Sequence, residues 1–150
     1  ASDVYKRQTE PSKGLIERCK EDLKISYLGH KNAIKTYLTP IENLELLFND
    51  VEMKLAYEWL HKFNLSHVQD ELAASLSFGQ QKKLALIRVL AKSPELIVLD
   101  EPFVGLDQTA ADQLNNFLEK QLSEGVGLIF TSHINPKISC KVLDLEAKNV

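Results

Sequence analysis

Leu96-Ile97-Val98-Leu99-Asp100-Glu101-Pro102 is the stretch that decides how the chain folds. Four consecutive apolar residues, bounded by Ser93-Pro94 before and Asp100 after, predict a parallel strand buried on both faces. Two adjacent carboxylates then stand at its carboxyl end, the edge where open α/β sheets bind ligands. Downstream, residues 107–122 place Ala111, Leu114, Phe117, Leu118 and Leu122 at helical spacing. Gly127-Leu128-Ile129-Phe130-Thr131 reads as a second buried strand and residues 141–145 as a third. Upstream, Ile25-Ser26-Tyr27-Leu28 reads as a short strand ending at Gly29-His30. Strand, helix, strand with short connections predicts an α/β layer.

Between the first two strands the pattern changes. Thr39-Pro40-Ile41-Glu42 is a helix start, with a capping hydroxyl, a proline at the first helical position and a glutamate three residues after the cap. Ile41, Leu44, Leu47 and Phe48 follow at helical spacing, and residues 51–63 carry Leu55, Trp59, Leu60 and Phe63. Residues 31–90 therefore read as mostly helical, a helical segment inserted into an α/β core.

Composition sets the outer limits. The 150 residues are 44% hydrophobic and 26% charged, the balance of a soluble globular chain. A chain of this size buries about two-thirds of the surface it exposes when unfolded. Lys and Arg number 18 against 21 Asp and Glu, a net charge of -3, which argues against a nucleic-acid partner held by surplus positive charge. No apolar run approaches the roughly 18 residues of a membrane span. The polar start, residues 1–8, is not a secretory signal. Cys19 and Cys140 stand alone, without a CxxC or CxxH, and read as two reduced structural thiols.

Four short motifs carry the candidate chemistry. Leu76-Ser77-Phe78-Gly79-Gln80 opens a helix running to about Lys92. Ser77 and Gln80 have the spacing of a plain capping box, yet the same hydroxyl, glycine amide and helix N-terminus can also receive a phosphate oxygen. Asp100 at the strand end can hold Mg²⁺, and Glu101 can serve as general base toward water attacking a γ-phosphate. The other reading of that pair is a solvated acidic turn. Asp107, after Gly105-Leu106, is a helix N-cap at the least. His133, after Thr131-Ser132, is either structural or a neutral imidazole placed to meet a phosphate or the attacking water.

In this order the four motifs resemble the nucleotide-binding subunit of ATP-binding-cassette (ABC) transporters, over residues from about 25 to the end. The resemblance implies a partial P-loop NTPase core of α/β class with an inserted α-helical subdomain. That subdomain would span about 31–92, with core segments at about 24–30 and 93–150. It implies that Ser77, Phe78, Gly79 and Gln80 form the signature motif against ATP held by a second ATPase subunit in a head-to-tail dimer. Asp100 is then the Mg²⁺-coordinating aspartate, Glu101 the catalytic glutamate, Asp107 the D-loop aspartate and His133 the switch histidine. The cofactors implied are ATP and Mg²⁺. The transmembrane subunits would be separate polypeptides, and the subunit would lie on the cytoplasmic face of the inner membrane.

A narrower resemblance covers Tyr27-Leu28-Gly29-His30-Lys31-Asn32-Ala33-Ile34-Lys35-Thr36, then Leu38-Thr39 and Glu42-Asn43-Leu44. These residues are similar to the ATP-binding subunit of the cytochrome c maturation, or heme exporter, transporter. His30 stands where most transporter ATPases carry a glutamine that reaches the nucleotide, and Phe103 after Glu-Pro also fits. His61 and His67 read as surface or structural. An ATPase of another ABC transporter, and a non-catalytic module that lends its signature motif to a partner, are the alternatives. A chromosomal-maintenance ATPase is disfavoured by the absence of flanking heptads.

The 150 residues contain no Gly-x-x-x-x-Gly-Lys-Ser/Thr phosphate loop; Pro11-Ser12-Lys13-Gly14 comes nearest and fails in spacing and order. Asp3-Val4-Tyr5-Lys6-Arg7-Gln8 resembles the translation of a transposase end sequence used in DNA library preparation. Residues 1–8 are therefore expected to be non-native, residues 9–150 to be a truncated ABC domain, and the chain alone to be inactive. Loss of a core strand should leave an exposed apolar patch and marginal stability.

Overall fold

The computed structural model describes residues 13–14, 20, 22–133, 138–139 and 141. Three parallel strands, β1 (Ile25–Leu28), β2 (Leu96–Asp100) and β3 (Gly127–Thr131), lie in the order β1-β2-β3. Leu28, Leu99 and Phe130 share one register level, and Asp100 pairs with Thr131 at the carboxyl edge. The connections carry helices α1 (Pro40–Glu45), α2 (Asp50–Lys62), α3 (Phe78–Leu90) and α4 (Gln108–Ser123). Single 3₁₀ turns at Ser66–Val68 and Ala73–Ser75 lead into α3. The strand expected at 141–145 and both cysteines lie outside the described residues, apart from Lys141.

Side-chain caps set where the helices begin. Thr39, Asn49 and Ser77 each form a complete capping box, with Glu42, Glu52 and Gln80 returning the bond, and Asp107 caps α4. Asn49 caps α2, whose first residue, Asp50, stands one ahead of the expected start. The segment read as mostly helical is helical only in part, because residues 31–39 and 64–77 contain turns and 3₁₀ pieces. Asn43 accounts for the first of these. Its carboxamide accepts from Lys35 N–H at 2.8 Å and donates to the carbonyls of Lys35 and Thr39 at 2.9 and 3.0 Å. Those bonds replace a helical ladder with a closed loop.

Helix α3 is the centre of the core. Leu84, Ala85, Leu86, Ile87, Val89 and Leu90 are all buried, so the helix is covered on nearly every side. It packs on α2 and on the sheet through β1. Helix α4 is amphipathic, burying Ala110, Leu114 and Leu118 at four-residue spacing. Trp59 of α2 joins the two regions, its ring 5.2 Å from Phe63 and 5.6 Å edge-on from Phe117 of α4.

The sheet departs from the sequence reading in one respect. Ile97 and Leu99 are buried, but the opposite face of β2 is only half-buried. On that face Ile25, Tyr27 and Ile129 are 40%, 46% and 59% exposed. Strand β2 is thus buried on one face and half-buried on the other, while β3 is half-buried on one face and exposed on the other. The expected exposed apolar patch is the face of the sheet that carries Ile25, Tyr27 and Ile129.

Candidate functional site

Asp100 ends β2 and Glu101 begins the turn that follows, with a left-handed φ of 46°. A residue with a side chain is strained there, so something must hold it. The β2–β3 register supplies the means by setting Thr131 opposite Asp100. The Thr131 hydroxyl donates to Asp100 Oδ1 at 2.7 Å and accepts from the Glu101 N–H at 3.0 Å. One hydroxyl therefore fixes both carboxylate-bearing residues. Sequence reading placed Thr131 at the end of a strand, as the first residue of Thr131-Ser132-His133, and gave its hydroxyl no role.

His133 stands next to the pair. Its Nε2 lies 3.3 Å from Glu101 Oε1, and its backbone N–H donates to Glu101 Oε2 at 3.4 Å. The imidazole is almost fully exposed, whereas the Glu101 side chain is mostly covered. Asp100, Glu101 and His133 thus form one cluster at the carboxyl edge of the sheet. His30 follows β1 on the same edge but makes no hydrogen bond or ion pair to the cluster among the described residues. His61 and His67 are exposed, as expected.

Behind this cluster lies a residue that the sequence did not reveal. Lys82 of α3 is 4% exposed. Burial pushes its ammonium below the ordinary lysine value, while the charges of Asp100 and then Glu101 push it back up. A buried cation beneath two carboxylates offsets part of their mutual repulsion. In a Gln-Lys-Lys run on the first turns of a helix nothing local distinguishes Lys82 from a solvated charge.

Ser77, Phe78, Gly79 and Gln80 form a second group. The Ser77 hydroxyl accepts from Gln80 N–H at 3.3 Å, and Gln80 Oε1 accepts from Ser77 N–H at 2.8 Å. The plain capping box is therefore present, with Phe78 exposed to solvent beside it. Asp107 joins this second group. Its Oδ2 accepts from Lys83 Nζ, and its Oδ1 accepts from Ala110 N–H at 2.9 Å. The Lys83 bond, and after it the Ala110 amide, holds the Asp107 carboxyl below the usual aspartate range.

The sequence model of the ABC transporter family matches residues 3–104. A cytochrome c biogenesis ATP-binding export protein from Idiomarina loihiensis is 35% identical over 138 residues, covering 83% of this chain and 62% of the relative. A lipopolysaccharide export system ATP-binding protein from Haemophilus influenzae is 31% identical over 116 residues, covering 73% of this chain and 48% of the relative. Among solved structures, the ATP-binding subunit of an ABC transporter superposes with a TM-score of 0.67 at 26% identity, over 74% of this chain and 49% of that one. A dimeric ATP-binding cassette with ADP and Pi superposes with a TM-score of 0.63 at 27% identity, over 74% and 53%. The chain spans less than two thirds of the length of the curated relatives it matches.

Proposed function

The chain belongs to the ABC transporter family, and on that premise we propose that it supplies the ATP-binding and hydrolysing subunit of a transporter of the heme-exporter type used in cytochrome c maturation. The observation that carries the reading is the pair Asp100–Glu101 at the carboxyl end of β2, with the Glu101 carboxylate facing His133 at 3.3 Å. Several relatives named for cytochrome c biogenesis favour the heme-exporter type, while one named for lipopolysaccharide export marks the nearest rival substrate.

Mg²⁺ binds through one or two carboxylates together with water and substrate phosphate, and seldom in an all-protein cage. Asp100 fits that mode as the single protein carboxylate, and among the described residues no three or more Asp, Glu, His or Cys side chains are placed to hold a metal ion together. Bound there, the ion would neutralise charge on the phosphates of ATP. Glu101 accepts the proton of the attacking water, and His133 orients that water and meets the γ-phosphate. His30 occupies the place of the usual glutamine. Ser77, Phe78, Gly79 and Gln80, with Asp107, face the nucleotide of a second subunit across a head-to-tail dimer. The membrane-spanning subunits are separate chains, and the protein works on the cytoplasmic face of the inner membrane; no helix among the described residues is long and apolar enough to cross it.

In the whole subunit, Glu101→Gln is expected to keep ATP binding and to lower hydrolysis by about 10²–10⁴-fold, the usual worth of a positioned base. Unchanged turnover would remove Glu101 from that role. Restoration of cytochrome c maturation in a strain lacking the heme-exporter ATPase tests the transporter type, and failure beside a working lipopolysaccharide-export assay would favour the rival. The alternative reading is a non-catalytic module that lends residues 77–80 to a partner's ATP. ATP-dependent association with an intact phosphate-loop subunit, without turnover by this chain, would support it.

A further inference from the structure

Residues 77–80 and 105–107 are far apart in sequence but meet face to face. A Cβ added to Gly79 would stand 2.8 Å from the Gly105 carbonyl oxygen. A Cβ on Gly105, whose φ is +81°, would meet the Phe78 ring at 2.6 and 2.8 Å. Backbone therefore lies on backbone at this end of the contact, which only glycine permits. Lys83, four residues beyond Gly79 and so on the same side of α3, closes the other end by donating to Asp107 Oδ2.

The Lys83 head is held on more than one side. Its Nζ also donates to the Phe63 carbonyl at the end of α2, at 3.4 Å, and its side chain is only 13% exposed. Asp107 is held independently by the Ala110 amide. Both partners have thus lost most of their freedom before they pair, which lowers the entropic cost that makes exposed ion pairs weak.

We propose that Lys83 is a positioning residue that locks the turn 105–107 against the start of α3, so that residues 77–80 and Asp107 meet a second ATPase subunit as one preformed surface. This rests on the reading above that residues 77–80 contact a partner's nucleotide. A preformed surface binds more tightly because less ordering remains to be done on association.

The test uses Lys83→Met, which keeps the length of the stem and removes the charge, and Lys83→Arg, which keeps the charge. In the chain alone, amide exchange at Leu106 and Ala110 should quicken about tenfold in Lys83→Met, the equivalent of 1.4 kcal/mol, and stay unchanged in Lys83→Arg. Exchange at Leu114 and Leu118 should not change, which separates local release from global loss of stability. Asp107→Asn, which keeps the capping oxygen, should reproduce the release if Lys83→Met does not fold. Unchanged exchange at Leu106 and Ala110 overturns the proposal.

The second measurement is Mg²⁺-ATP-dependent association with an intact phosphate-loop subunit whose own catalytic glutamate is replaced by glutamine, followed by sedimentation. Lys83→Met should weaken association by about fivefold or more, the effect of losing roughly 1 kcal/mol of preorganisation, and Lys83→Arg should restore it. Equal association of Lys83→Met and the unaltered chain would overturn the partner half of the proposal. If the unaltered chain itself does not associate, the reading of residues 77–80 fails, and the exchange data still decide the role of Lys83.

Discussion

Replacing Thr131 with valine removes one hydroxyl and almost no volume, so it isolates the bond that ties Asp100 to Glu101. That hydroxyl donates to a carboxylate oxygen at 2.7 Å and accepts from the Glu101 amide at 3.0 Å. A bond to a charged group contributes about 1.5–3 kcal/mol and a neutral one about 0.5–1.5 kcal/mol. Both lie at an exposed edge, where water replaces part of what is lost, so the net cost is estimated at about 1–2 kcal/mol. The amide bond also restrains a left-handed backbone at Glu101, φ 46°, whose strain is on the order of 1–3 kcal/mol. Without the hydroxyl, Glu101 is free to relax to negative φ and to carry its carboxylate away from His133. Amide hydrogen exchange reads this directly. In Thr131→Val the Glu101 N–H should exchange about 5–30-fold faster, at 1.4 kcal/mol per factor of ten. Thr131→Ser, which keeps the oxygen, should match the unaltered chain. Exchange at Ile97 and Leu99, in the body of β2, reports whether the whole sheet has loosened. If Glu101 exchanges at the same rate in all three proteins, the hydroxyl does not hold the turn, and the ordering of the carboxylate pair needs another cause.

Two more perturbations test the second cluster. Asp107 has a carboxyl lowered by Lys83 and by its own cap bond, so the stability it contributes is present above the unfolded aspartate pKa of about 3.9 and is lost as pH falls through the lower folded value. Acid unfolding of Asp107→Ala should therefore be flatter below about pH 4 than that of the unaltered chain, and the variant should lose about 1 kcal/mol at neutral pH from the missing cap. An unchanged acid limb would remove Asp107 as a contributor. Gly105→Ala introduces a side chain at φ +81° and should cost about 1–3 kcal/mol in urea unfolding. Adding Phe78→Ala should recover only the steric part, because Phe78 is 63% exposed and its ring can swing aside, while the backbone cost stays. Full recovery in the double variant would show that the clash, and not the backbone, set the cost.

What the sequence disclosed was largely local, and what it concealed was largely set by pairing at a distance. Thr39, Ser77 and Asp107 announce helix starts because a cap acts within three residues, and all three caps are formed. Asp100, Glu101 and His133 could be read as candidates because each ends or follows an apolar run, and the parallel sheet brings those ends to one edge. Thr131 carries no such mark. Its role exists only because β3 pairs with β2 in a register that sets it against Asp100, and register is a property of two strands together. Lys82 and Lys83 show the same limit from the side of charge. Two adjacent lysines suggest a solvated surface, yet Lys82 is buried behind the carboxylates and Lys83 is held between Phe63 and Asp107. The burial of Lys82 and the partial covering of Lys83 follow from α3 being enclosed on nearly every side, which its early charged turns do not reveal. Strand β3 marks the opposite error. Gly127-Leu128-Ile129-Phe130-Thr131 has the apolar content of a strand covered twice, but Ile129 is 59% exposed. An apolar run records a capacity for burial, and whether that capacity is used depends on what lies across the sheet.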